Sequence, residues 1–169
     1  MEPVIRCAEE EDWDSILYTY ETARQFMRDH GNPTQWGTVN PTPECLQKHM
    51  AQRQLYVVAD ENEIYGAFAL LQEPEPTYRV IREGKWLNDE PYITLHRVAS
   101  NGKMHGIMNL ILQYAFQQGE NVRIDTHRNN TVMQRILEKN GFVKCGIIFL
   151  ENGDERLAYQ KKATVSVAK

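Results

Sequence analysis

Gly102, Lys103, His105 and Gly106 lie between the strand-like run R-V-A-S (97–100) and the helix-like run I-M-N-L-I-L (107–112). A turn from strand into helix leaves the helix's first N–H groups without carbonyl partners, and glycine lets an anion come close to that backbone. With a lysine alongside, such a junction can cradle a pyrophosphate. The same glycines could serve turn geometry alone, so the neighbouring elements have to decide. Two common phosphate loops are absent: there is no Gly-x-x-x-x-Gly-Lys-Ser/Thr run, and no Gly-x-Gly-x-x-Gly followed by an acidic residue.

The elements that must position this junction follow from periodicity. V-I-R-C (4–7) reads as an edge strand. Trp13, Ile16, Leu17, Tyr20, Ala23 and Met27 recur at three and four, which predicts a helix stopping near Gly31. Thr42, Pro43 and Glu44 supply an N-cap, a first-turn proline and a first-turn carboxylate for a second helix reaching about Gln52. The loop between these helices carries Trp36. L-Y-V-V-A-D and I-Y-G-A-F-A-L-L flank E-N-E as a hairpin would. Residues 72–90, with Trp86 near their end, read as a long loop, and P-Y-I-T-L-H-R-V-A-S as a long central strand.

After the junction, Ile107, Leu110, Ile111, Tyr114 and Ala115 line one face of a helix ending at Gly119. V-R-I-D-T is a strand. Asn130 can cap a helix with apolar residues Val132, Met133, Ile136 and Leu137, and Gly141 stands where a left-handed C-terminal cap belongs, with Phe142 folding back. V-K-C-G-I-I-F-L and E-R-L-A-Y-Q make a last hairpin. The order predicts a mixed α/β fold around one sheet, a single domain over 1–169 with 161–169 as a frayed tail.

At 169 residues and 41% apolar content, the chain is long enough to bury one core. A net charge of −4, from 23 acidic and 19 basic residues spread along it, gives no reason to expect nucleic acid or a membrane as partner. Cys7, Cys45 and Cys145 are too few and too scattered for a disulfide framework or a zinc site, and read as buried reduced thiols. No metal site is expected. The opening M-E-P-V-I-R-C-A-E-E lacks an apolar signal core, so the expectation is a cytoplasmic protein, for which the acceptor-like Asn129-Asn130-Thr131 has no glycosylation role.

K-M-H-G-I-M resembles the acyl-CoA loop of the GCN5-related N-acetyltransferases, Gln/Arg-x-x-Gly-x-Gly/Ala, with Lys103 at the basic position and Gly106 at the first glycine. Y-I-T-L-H-R-V-A-S is similar to that family's fourth strand. The segment from R-I-D-T-H-R-N-N to N-G-F-V-K-C-G is similar to its fifth strand, fourth helix and Asn-to-Gly-Phe run. In element order the resemblance covers residues 4–160. Two positions depart from it: Met108 replaces the second small residue, and Leu137 stands where many members carry a tyrosine thought to protonate the departing thiolate.

The resemblance implies a mostly antiparallel central sheet with splayed fourth and fifth strands, and helices on both faces. It implies acetyl-CoA as co-substrate. Backbone around Val98 and Ala99 would pair with pantetheine, and the N–H groups of Lys103, Met104, His105, Gly106, Ile107 and Met108 would hold the pyrophosphate. Asn130 matches a CoA-contacting asparagine, with a plain N-cap as the alternative. The chemistry implied is direct attack of an amine on the thioester. An alkylammonium, with a pKa of about 10, must first lose a proton, so a base is needed.

His96 is the first candidate for that base, followed by Asp125 and His127, although a packed strand histidine and a turn-organising Asp-Thr-His are the competing roles. Tyr114 and Tyr92 have suitable hydroxyls, but no acid is assigned. Trp36 and Trp86 could wall the acceptor pocket or close the core. The acceptor is expected to be an amine of a small molecule or peptide, and a homodimer through the last hairpin is open. The alternative function is a non-catalytic acyl-CoA-binding or sensing module. A nucleotide-binding protein would need base and ribose recognition that the sequence does not show.

Overall fold

The structure, a computed structural model, describes residues 2–163. The chain folds into two compact units, each assembled from separate stretches of sequence. Among the described residues, 2–70 and 96–114 form the first, and 71–95 and 115–163 the second. The expected frayed tail falls mostly outside the described residues, and β7 (Glu155–Lys162) runs through its first two positions.

In the first unit, β1 (Val4–Cys7) pairs antiparallel with β2 (Leu55–Ala59), which pairs antiparallel with β3 (Ile64–Leu71). Helix α1 (Trp13–Asp29) buries Ile16, Tyr20 and Ala23, with Trp13, Leu17 and Met27 packed against the same core, as its three-and-four spacing predicts. Its start is fixed by Asp12, whose carboxylate takes two hydrogen bonds from Arg6, at 2.7 and 2.9 Å, and one from the Glu9 N–H. Helix α2 (Pro43–Ala51) opens on the expected cap, the Thr42 hydroxyl accepting from the Cys45 N–H at 3.1 Å.

The second unit holds β5 (Asn121–Thr126), β6 (Val143–Phe149) and β7, with β7 antiparallel to both β5 and β6. Helix α4 (Thr131–Lys139) ends as the sequence predicts: Gly141 has φ +84°, and the Phe142 N–H returns to the Leu137 carbonyl at 2.9 Å. Residues 72–90 are more ordered than a loop reading suggests. They contain a short 3-10 turn at Pro76–Tyr78, and Arg82 exchanges two backbone hydrogen bonds of 2.8 Å with Ile147, so they add a bridge to β6.

Strand β4 (Ile93–Ser100) and helix α3 (Ile107–Gln118) each have residues in both units, as does β3 through its last residue, Leu71. The seven strands are ordered β1-β2-β3-β4-β5-β7-β6 in a mostly antiparallel sheet, with β4 parallel to β5. That parallel ladder covers only Ile93–Leu95 against Val122–Ile124, ending short of the segment where the two strands were expected to part. On α3 the buried stripe is turned from the predicted one. Met108 and Leu112 are buried with Ile107, Ile111 and Ala115, while Leu110 and Tyr114 are half-buried.

Candidate functional site

The junction is built as a strand end, a bend over residues 102–105 and the start of α3 at Ile107. Asn101 anchors the strand end: its backbone N–H bonds the Tyr65 carbonyl at 3.1 Å, and its buried amide donates to the Ile64 carbonyl at 2.8 Å. The other face of that amide, Oδ1, accepts from the Lys103 N–H at 3.1 Å, while the Gly102 N–H turns back to the Ser100 hydroxyl at 3.2 Å. The Lys103 amide is therefore committed to its own turn, which corrects the expectation that it joins the cradle. Met104 to Met108 remain, with the first-turn N–H groups of a twelve-residue helix pointing out of the bend.

Gly102 and Gly106 both have φ +79°, a conformation that disfavours any side chain, and a Cβ at either would meet no atom within 4 Å. The backbone there is open to an approaching group, so the segment fits a diphosphate. Lys103 reaches away from the bend to Glu63 at 2.9 Å, with its ammonium 5.6 Å from the Tyr18 ring centre. That carboxylate raises the lysine's pKa. His105 is exposed, and the side chains of Ile107 and Met108 are buried, so Met108 projects into the core rather than over the cradle.

Upstream, β4 carries an irregularity that the sequence does not announce. Arg97 has φ +57°, in the left-handed region, within a strand. The fully buried Tyr20 donates its hydroxyl to the Arg97 carbonyl at 2.6 Å, and burial pushes that hydroxyl far above its ordinary pKa, so it stays a neutral donor. His96 precedes this residue and is half-buried; Val98 and Ala99 follow it. Gly66 on β3 makes the close approach here, since a Cβ on it would lie 2.9 Å from the Ala99 carbonyl oxygen and 2.8 Å from an Ile107 methyl.

Asp125 and His127 have hydrogen-bond partners of their own. Asp125 accepts the Tyr78 hydroxyl at 2.7 Å, and Tyr78 is buried and held well above its ordinary pKa by burial and then by that carboxylate. His127 takes the Asn129 N–H on Nδ1 at 3.0 Å, which places the proton of the neutral ring on Nε2 and leaves no basic nitrogen for an amine. Burial, then Arg156 and Arg128, push its pKa down. Asn130 realises the capping role, its side chain accepting from the Met133 N–H at 3.0 Å.

The two tryptophans take core positions. Trp36 is 8% exposed and sits 5.7 Å from the Tyr20 ring, closing the first unit's core. Trp86 donates Nε1–H to the Tyr78 carbonyl at 2.9 Å, and with Tyr92 it sandwiches the buried Arg123 guanidinium, ring centres at 4.1 and 4.0 Å. The Tyr92 hydroxyl accepts the Glu75 N–H, Tyr114 packs tilted against Tyr56 and edge-on to Phe68, and Leu137 is fully buried. Of the cysteines, only Cys145 is buried; Cys7 and Cys45 are half-exposed free thiols, contrary to the sequence reading. No helix among the described residues is long and apolar enough to cross a membrane.

Comparison with known proteins agrees with this geometry. Residues 4–143 match the family model described as acetyltransferase (GNAT) domain, and the chain belongs to that family. No curated protein matches it. A GNAT-family acetyltransferase from Streptococcus agalactiae 2603 is 30% identical over 96% of each chain, with a TM-score of 0.85. One from Listeria monocytogenes 4b F2365 is 17% identical over 95% of this chain and 94% of that one, with a TM-score of 0.70. A chain of the NatC complex bound to Gag peptide and CoA is 13% identical over 97% of this chain and all of its own length, with a TM-score of 0.60. Family membership makes the chain an acetyltransferase.

Proposed function

We propose that the protein moves an acetyl group from acetyl-CoA to a primary amine of a small molecule or peptide by direct attack, in the cytoplasm, with neither nucleic acid nor a membrane as partner. The observation that carries this reading is the bend of Gly102 and Gly106 into α3, whose open backbone suits a diphosphate. Bound acetyl-CoA supplies a thioester carbonyl for the amine to attack. The N–H groups from Met104 to Met108 hold the diphosphate, and Lys103 adds charge as it exchanges Glu63 for phosphate. Backbone at Val98 and Ala99 binds pantetheine, and Asn130 adds a contact to CoA from the α4 cap.

His96, on the strand that runs into the cradle, removes the ammonium proton. The departing thiolate takes its proton from solvent, because Leu137 offers none. A non-catalytic binding module is the second reading, favoured by the fully buried leucine at that place. Steady thiol release from acetyl-CoA across a panel of amines, amino acids and peptides tests the two. Turnover on any acceptor supports the transferase; tight acetyl-CoA binding with no turnover on any of them supports the module.

A further inference from the structure

Glu63 lies in the turn between β2 and β3, outside the bend read above as the cradle, yet its carboxylate holds the cradle's lysine. The turn is built to place it. Asp60 donates its N–H to the Glu63 carbonyl at 3.1 Å, and its Oδ1 accepts the Asn62 and Glu63 N–H groups at 2.8 and 3.0 Å. Oδ2 of the same carboxylate takes the Tyr65 hydroxyl at 2.5 Å. The start of β3 is then tied to the bend through Asn101, which donates to the Ile64 and Tyr65 carbonyls and accepts the Lys103 N–H. Glu63 and Lys103 are 40 residues apart in sequence but mounted on one hydrogen-bonded frame.

That frame leaves the ammonium between two groups, Glu63 Oε1 at 2.9 Å and the Tyr18 ring with its centre at 5.6 Å. Lys103 turns away from the bend to reach them, so its ammonium has to leave one anion to serve another. We propose that Glu63 is a latch on the cradle, a positioning residue that acts through Lys103. It holds the lysine in the free protein, yields it when the diphosphate of acetyl-CoA arrives, and takes it back as CoA leaves. The inference rests on the diphosphate reading of the bend. Binding then exchanges one ion pair for another and leaves the Glu63 carboxylate near a ligand of like charge. Both effects weaken the hold on the coenzyme, and both act equally on product CoA, whose release Glu63 favours. A half-exposed pair suits the task, because its strength in water is modest and it parts readily.

The test is a double-mutant cycle on the affinity for acetyl-CoA, read by calorimetry at low ionic strength, with thermal unfolding of each protein as the fold control. Glu63→Gln keeps the side chain's shape and removes its charge, and Lys103→Met removes the ammonium. Glu63→Gln should bind acetyl-CoA about threefold or more tightly than wild type. The gain should shrink as salt is added. In the Lys103→Met background the same substitution should gain little, because there is no lysine to release. Wild-type binding with equal or weaker binding by Glu63→Gln overturns the latch alone. A gain of the same size in both backgrounds also overturns it, since Glu63 would then act on the ligand directly and not through Lys103. Absence of acetyl-CoA binding to wild type overturns the diphosphate reading itself, and the latch with it.

Discussion

Replacing Tyr20 with phenylalanine removes one oxygen atom and isolates the contact that fixes the irregular turn of β4. The hydroxyl is 2.6 Å from the Arg97 carbonyl, 77 residues away in sequence, and the tyrosine has no solvent exposure. The ring keeps its place against Trp36 in the variant, so little packing is lost. What changes is a carbonyl left without its donor, at a cost of about 1 to 3 kcal/mol. The left-handed Arg97 backbone stores about 1 to 2 kcal/mol of strain, and any part of it that relaxes once the bond is gone offsets the loss. For a chain of this length each kcal/mol lowers Tm by about 2 to 4 °C, so Tyr20→Phe should melt about 2 to 12 °C below wild type. Urea unfolding should show a lower midpoint with an unchanged slope. A Tm within a degree of wild type would mean that the bond does not hold the turn.

Three further outcomes follow from the geometry. Arg6→Met should lower stability by about 1 kcal/mol at neutral pH, a modest figure because Arg6 is 40% exposed. Arg6 depresses the Asp12 pKa, so the bond's contribution is complete above the unfolded carboxylate value of about 3.9 and fades as pH falls through the folded one. A gap between wild type and variant that is as large at pH 3 as at pH 7 in urea titrations would count against it. Trp86→Ala should cost about 3 kcal/mol or more, through lost packing and an Arg123 guanidinium stripped of one of its two rings; unchanged stability with a raised acceptor KM would return Trp86 to the acceptor pocket. Asn130→Ala should destabilise by about 1 kcal/mol through its cap, and calorimetry with acetyl-CoA reads any contact beyond that.

The parts of this fold that could be read from sequence obey local rules. The spacing of Ile16, Tyr20 and Ala23, the Thr42 and Asn130 caps and the Gly141 stop each depend on residues within a few positions, and each is where the sequence placed it. The junction glycines were legible for the same reason. What escaped depends on partners distant in the chain: the Tyr20 bond to Arg97, the Tyr78 bond to Asp125 and the Arg82 bridge to Ile147. No spacing rule marks Arg97 as left-handed, since H-R-V-A-S reads as plain strand. The Trp36 and Trp86 indoles illustrate the same limit, because a tryptophan in a loop has no sequence signal to separate a pocket wall from a core plug.

The central claim is that the backbone from Met104 to Met108 binds the diphosphate of acetyl-CoA. It is tested most directly by titrating acetyl-CoA into wild type and Gly106→Val in a calorimeter, with thermal unfolding of both as control. At φ +79° a β-branched side chain forces the bend out of its conformation, although nothing near it would clash. Wild type should bind, and the variant should bind at least about tenfold more weakly while its Tm shifts by only a few degrees. Equal affinity in the two proteins, or no binding to wild type, would contradict the claim.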